Sequence, residues 1–286
     1  MPQDNFRDAF LPYLDDIHAR VVTTTGDWTV KGFIDVYQRI YTISLDTKVL
    51  SKVLELLMFP IIARFADEQE YYLVLAKAQN QYPDISLISK TDETKCYALD
   101  IKSTYRTILD KEGQARVSGM TLGTFGGYFR TRNKPVSSTF AYDRYIKNYV
   151  LGVVYSRIEG VDERRSYDIH ELTDIPSVAN NFTFFLQEKY LIASDIPGSG
   201  NTKNIGSTRH LHRMLNGTGV FSQLGIEVFD DYWMNYRNRE MARAEGFSTQ
   251  PYTNLKNYRD FKQRGADILK TMEEEILSES DDVEQD

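Results

Sequence analysis

Asp84, Asp100 and Lys102 are the residues of this chain whose types and spacing suit a chemical task. Asp84 opens DISLIS (84–89), and Asp100 sits midway along CYALDIKSTY (96–105), two residues before Lys102. Both segments read as strands, and TDET (91–94) between them reads as a turn. If residue 90 pairs with 94 across a three-residue turn, Asp84 lies opposite Asp100. Side chains alternate along a strand, so Asp84, Asp100 and Lys102 then share one face. Opposed Cβ atoms lie about 4.5–5.5 Å apart. Carboxylates that close repel, and one takes a raised pKa unless a cation lies between them. A hard divalent cation such as Mg2+ prefers oxygen ligands of this kind. A bound metal acidifies its water and polarises a phosphate, and an ammonium beside it stabilises developing negative charge. The set suits hydrolysis of a phosphodiester. The same pattern also describes two exposed carboxylates at strand ends with a lysine salt-bridged to them, and spacing alone leaves both readings standing.

The elements that must position these groups follow from the pattern around them. Residues 4–20 are expected as one short amphipathic helix, with Phe6, Phe10, Leu11, Leu14 and Ile17 at helical spacing. Residues 28–43 read as one or two strands. Asp46 is a good N-cap for a helix through VLSKVLELLMF, which Pro60 should end or kink. Glu55 interrupts that apolar run; it is either a residue of the solvated face or a third carboxylate aimed at the metal. YYLVLA (71–76) reads as a strand, 106–136 as irregular, 140–156 as a helix, 182–194 as two strands or one bent strand, 197–207 as a loop, and 208–215 and 227–244 as helices. The sum is an α+β chain with a central mixed β-sheet flanked by helices. Residues 1–272 are expected as one domain, and 273–286 as a disordered acidic tail.

Composition narrows the function classes. Tyr 19 and Phe 15 supply large side chains for a core, which argues against general disorder. No apolar run reaches the ~20 residues of a membrane helix, and MPQDNFRDAF lacks a basic-then-apolar leader pattern. Cys96 is the only cysteine, so a cytoplasmic, reducing compartment is expected. A net charge of −7 looks wrong for a nucleic-acid partner, but residues 273–286 carry eight acids and no base, so the rest of the chain sums to +1. Residues 101–148 hold nine Lys/Arg against three Asp/Glu, and 203–215 holds Lys203, Arg209 and Arg213 with no acid. Such patches fit a DNA-facing surface, although ordinary solvated surface has the same composition.

Two loops could touch DNA. GSGNTKNIGS (198–207) combines glycines, which allow close backbone approach, with Asn201, which could pair bidentately with adenine, and Thr202, whose methyl could meet a thymine methyl. It lacks the ending of a phosphate-binding P-loop. AQNQ (78–81) just precedes Pro83-Asp84, and its amides could bond nucleic acid. A flexible surface turn is the plain alternative for each. His210 and His212 would point about 200° apart on a helix, a poor zinc pair, and read as surface or phosphate-contacting residues.

The words DTKVLSKVLELL (46–57), QNQYPDISL (79–87), ALDIKSTY (98–105), MTLG (120–123), FLQEKYLIASDIPGSGNTKNIGS (185–207) and DYW (231–233) occur in this order. Together they resemble the EcoRV-type type II restriction endonucleases of the PD-(D/E)xK nuclease superfamily, from about Gly32 to about Arg237. The resemblance implies that Asp84 and Asp100 are metal-binding carboxylates, Lys102 the catalytic lysine, and Glu55 a helix glutamate that assists the metal. It implies base reading in the major groove by Gly198, Ser199, Gly200, Asn201 and Thr202, with Lys203 and Asn204 binding DNA beside them. Gln79 and Asn80 match a loop on the minor-groove side, and Lys48 and Thr104 match positions contacting DNA or adjoining the site. Lys203 stands where the family has threonine. Also implied are Mg2+ as cofactor, double-stranded DNA as substrate, a homodimer whose interface includes residues 32–43, a GATATC-like palindrome cut to blunt ends with 5′-phosphates, and a cognate DNA methyltransferase. The alternatives are a repair or recombination nuclease on the same fold, such as a junction resolvase, and a DNA-binding module without catalysis.

Overall fold

In a computed structural model, which describes residues 5–78, 80–107, 109–111, 113–162, 164–198 and 203–262, the chain opens with α1 (Phe6–Phe10) and α2 (Tyr13–Val21). The stretch expected as one helix is broken at Leu11 and Pro12, where proline withholds a backbone donor. Both pieces still turn Phe6, Phe10 and Ile17 inward. β1 (Gly32–Ile34) and β2 (Arg39–Thr42) pair antiparallel. α3 (Thr47–Glu68) starts as expected, with the Lys48 N–H donating to the Asp46 carboxylate at 2.7 Å. It does not stop at Pro60. Proline inside a helix costs about 3 kcal/mol. The two turns beyond it bury Ile61, Ile62 and Phe65, and each such side chain contributes about 1.5–3 kcal/mol. Burial therefore outweighs the local penalty.

β3 (Tyr71–Leu75), β4 (Ile85–Ser89) and β5 (Cys96–Tyr105) follow. The β4–β5 hairpin takes the register set by its turn, with Ile85 opposite Leu99 and Ile88 opposite Cys96. β6 (Thr121–Thr124) lies inside the segment read as irregular. Residues 140–156, expected as a helix, instead supply the 13-residue strand β7 (Tyr145–Arg157). Tyr145, Tyr149, Val150, Leu151, Val153, Val154 and Tyr155 are buried on both of its faces. A strand covered on both sides is a near-continuous apolar run, which periodicity alone does not separate from a buried helix.

β8 (Ser166–Asp168) and β9 (Ala179–Glu188) lead to a 3₁₀ turn at Lys189–Ile192, then β10 (Ala193–Pro197) and β11 (Asn204–Ser207), so part of the expected loop is strand. α4 (Leu211–Asn216), α5 (Gly225–Asn235), α6 (Arg239–Ala244) and α7 (Leu255–Lys262) complete the described chain. The single helix expected over 227–244 is two, because Asn238 starts a new one by accepting from Met241 N–H at 2.9 Å. The acidic segment 273–286 lies outside the described residues. Among those described, no helix is long and apolar enough to cross a membrane.

The central sheet is mixed, with strand order β3-β4-β5-β7-β9; β5 and β7 run parallel and the other neighbours antiparallel. Two smaller sheets have the orders β1-β2-β8 and β10-β11-β6. Leu99, Ile101, Tyr149, Leu151 and Val153 face a core built with α1, α2 and α3. Ala98, Val150 and Val154 face a second core with Leu122, Ile205, Phe229 and Trp233. Gly152 sits in β7 between Val150 and Val154, and the Phe185 ring occupies the place a Cβ would take there. Strand alternation puts Asp100 and Lys102 on the Ala98 face of the sheet.

Candidate active site

Asp84 closes the β3–β4 ladder, its carbonyl accepting from Ala76 N–H at 3.1 Å. Its carboxylate accepts from Ile101 N–H at 2.7 Å, which locks it across the hairpin against β5. Lys102 Nζ lies 2.8 Å from Asp100 Oδ2 and 3.5 Å from Asp84 Oδ2, so one ammonium bridges both carboxylates. Asp100 is almost fully buried, while the Asp84 and Lys102 side chains are 33% and 24% exposed. The site is thus backed by protein and open on one side.

Burial, then the charge of Asp100, pushes the Asp84 carboxyl up to about 7, against the opposing pull of Lys102 and the Ile101 N–H. Burial alone would lower Lys102, but the two carboxylates outweigh it and raise its pKa. The mutual repulsion expected from the sequence is therefore present, and a lysine partly offsets it. Two hard oxygen donors that hold a proton against their preference suit a hard divalent cation. No group of three or more His, Cys, Asp or Glu poised for a metal occurs among the described residues. Two carboxylates suffice for a hard divalent cation that keeps several of its own waters.

The other expected residues divide into groups. Glu55 is not gathered with the two aspartates; it takes the Lys52 ammonium at 2.7 Å on α3. Lys52 is raised by Glu55 first and, further off, by Asp84, which puts this pair on the flank of the site. Thr104 is buried one alternation beyond Lys102 on β5, and its hydroxyl finds no hydrogen-bond partner among the described residues. Lys48 is exposed in the first turn of α3, which Ser51 ties to Ser103 of β5 at 2.7 Å. Asn80 is exposed in a turn pinned by Gln81, which accepts from Lys77 N–H at 2.8 Å and donates to the Ser138 carbonyl at 3.0 Å.

At the glycine-rich loop, Gly198 N–H donates to the Asn204 carbonyl at 3.0 Å, and the Lys203 carbonyl accepts from Phe125 N–H and the Thr124 hydroxyl, each at 2.8 Å. Gly206 is needed there, since a Cβ would stand 2.7 Å from the Ile196 carbonyl oxygen. Ser199, Gly200, Asn201 and Thr202, like Gln79, lie outside the described residues. His212 is exposed as expected, but His210 is buried against the Arg116 guanidinium, because it enters α4 from the core side.

Sequence reading missed Lys189, a cation in the word FLQEKYLIAS. It is buried, and its Nζ lies 3.9 Å from the Tyr82 ring centroid, with Tyr142 at 5.4 Å and Tyr128 at 5.7 Å. Burial lowers its pKa to about 7, with the Asp100 charge opposing. Gln187 and Glu188 directly precede it, so nothing local in the sequence marked it as buried.

A family model described as restriction endonuclease EcoRV matches residues 24–263. The type II restriction enzyme EcoRV of Escherichia coli is 35% identical over 240 residues, which covers 83% of this chain and 92% of that protein. The match reaches beyond the words quoted above at both ends and takes in α7.

Proposed function

Because the chain belongs to the restriction endonuclease EcoRV family, we propose that it cuts double-stranded DNA at a GATATC-like palindrome. Cleavage uses Mg2+ and leaves blunt ends with 5′-phosphates. The protein acts as a homodimer in the cytoplasm, beside a cognate DNA methyltransferase. The observation that carries this reading is the convergence of Asp84, Asp100 and Lys102 at one partly exposed site beside β5. Asp84 and Asp100 would hold the metal, and Glu55 would assist them from the flank of the site. Bound there, Mg2+ supplies an acidified water and a polarised phosphate. The Ile101 N–H orients Asp84 for this task. Lys102, released from its two carboxylates, steadies charge on the attacking and phosphoryl oxygens. Gly198, Ser199, Gly200, Asn201 and Thr202 read base edges from the major groove, Lys203 takes a phosphate, and Asn204 contacts DNA beside them. Gln79 and Asn80 approach the minor groove, and Lys48 and Thr104 border the scissile strand. Digesting a plasmid with Mg2+ and sequencing the ends tests the reading. Blunt cuts at one palindrome are expected, and an intact plasmid under all divalent ions would overturn it.

The dimer reading rests on the β1–β2 hairpin. Phe33, Ile34, Val36 and Tyr37 are 51%, 58%, 89% and 79% exposed. A patch of this kind marks an interaction surface, and a two-fold pair suits a palindrome because each subunit reads one half-site. The double variant Val36→Glu/Tyr37→Glu is expected to sediment as a folded monomer and to lose double-strand cleavage. An unchanged dimer in sedimentation velocity would move the interface elsewhere.

A further inference from the structure

We propose that Lys189 is a positioning residue for cleavage, clamping Tyr82 through its buried ammonium and so fixing Asp84 from the stem of the glycine-rich loop. The inference rests on the nuclease reading above. Its starting point is an unfavourable feature. Lys189 is 2% exposed, and its Nζ has no hydrogen-bond partner among the described residues. A buried ammonium without such partners opposes folding. A methionine of similar length would avoid that cost, so the lysine makes sense as a functional device.

What the ammonium meets is a wall of rings. It sits over Tyr82 at 3.9 Å, with Tyr142 and Tyr128 next nearest. Tyr82 and Tyr128 are stacked, with centroids 4.4 Å apart and planes 12° from parallel. A cation over a desolvated aromatic face is attracted by the ring quadrupole. Tyr82 is held at its other points as well. Its hydroxyl donates to Asn148 Oδ1 at 2.8 Å, its N–H to the Ser137 carbonyl at 3.0 Å, and its carbonyl accepts from Thr139 N–H at 2.8 Å. Only Pro83, with its fixed φ, separates Tyr82 from Asp84. A tilt of the Tyr82 ring is therefore passed to the carboxylate with little slack.

Lys189 also starts the 3₁₀ turn that runs into β10, and β10 ends at Pro197, immediately before Gly198. The lysine thus joins two parts of the molecule. One is the strand entering the proposed base-reading loop, and the other is the residue that sets Asp84. A shift of that strand on DNA binding would reach Asp84 through this contact.

Lys189→Met in the full chain tests the proposal, on a labelled duplex carrying the site found by plasmid sequencing. The expected result is a Tm equal to or above wild type and duplex affinity in Ca2+ unchanged. A kcat roughly 10- to 100-fold lower is also expected, the size of effect that small misplacement of a reacting group produces. Tyr82→Leu should lower kcat similarly, and combining the two should add nothing further, as for residues acting through one contact. Wild-type kcat in Lys189→Met, or a loss of folding in that variant, would overturn the proposal by making Lys189 idle or structural. Additive losses in the double variant would overturn it too. If the wild-type protein cuts no duplex, the nuclease reading has failed, and this one falls with it for a separate and visible reason.

Discussion

Asp100→Ala is expected to reduce DNA cleavage by on the order of 10³-fold or more while leaving a folded protein. The magnitude follows from the role: removing a ligand of a catalytic cation forfeits several kcal/mol of charge stabilisation, and each 1.36 kcal/mol is tenfold in rate. The fold should survive because Lys102 keeps a second carboxylate, Asp84, at 3.5 Å. The buried position is therefore not left with an orphan cation, the circumstance that makes broken buried pairs so costly. Removing Asp100 also removes the second-largest cause of the raised Asp84 pKa, so that carboxyl should titrate lower in the variant. Single-turnover cleavage in Mg2+, with Tm measured beside it, checks both halves. An Asp100→Ala protein that cuts at the wild-type rate would place the chemistry elsewhere in the chain.

Asp84→Asn is expected to abolish cleavage to a similar degree and yet to stabilise the metal-free protein above neutral pH. The folded-state carboxyl is raised from 3.8 to about 7. Between those values the folded chain keeps a proton that the unfolded chain has lost, so stability falls as pH rises through that window. The full cost is present above about pH 7, where the folded carboxylate must ionise. With the screening due to a side chain one-third exposed, we set that cost at about 2 kcal/mol. Asparagine carries no such charge and keeps an oxygen to accept from the Ile101 N–H. Urea unfolding without divalent ions should show wild type and variant close together at pH 4 and separated at pH 8, with the variant more stable. An equal difference at both pH values would show that Asp84 carries no raised pKa.

The part of the site most legible in the sequence was the hairpin. TDET fixed the turn, the turn fixed the register, and the register put Asp84 opposite Asp100. Local chemistry sufficed because every residue involved lies within one supersecondary unit. The reading failed where tertiary burial decided. β7 was read as a helix because a strand covered on both faces loses its alternation, and Pro60 was expected to end or kink α3 because the burial of Ile61, Ile62 and Phe65, which carries the helix past it, is invisible locally. Glu55 and Lys52 are an i, i+3 pair that helical spacing could have shown. Lys189 was missed for the opposite reason. Its partners Tyr82, Tyr128 and Tyr142 arrive from three distant segments, and no pattern within FLQEKYLIAS points to them.

The one parallel pairing of the central sheet bears on the order in which the molecule assembles. In the β4–β5 hairpin, Ile85 meets Leu99 across 14 positions of chain, whereas Tyr97 of β5 meets Lys147 of β7 across 50. Closing the longer loop costs about 1 kcal/mol more entropy before any contact rewards it. Hairpins close in about 1–10 μs, and long-range pairings dominate the slow part of folding. The two aspartates therefore meet early, on a ribbon still wet on both sides, where their repulsion is weak. The repulsion grows only when β7 and the second core dock and exclude water. The groups that oppose it, Lys102 and the Ile101 N–H, lie on β5 and are in place by then.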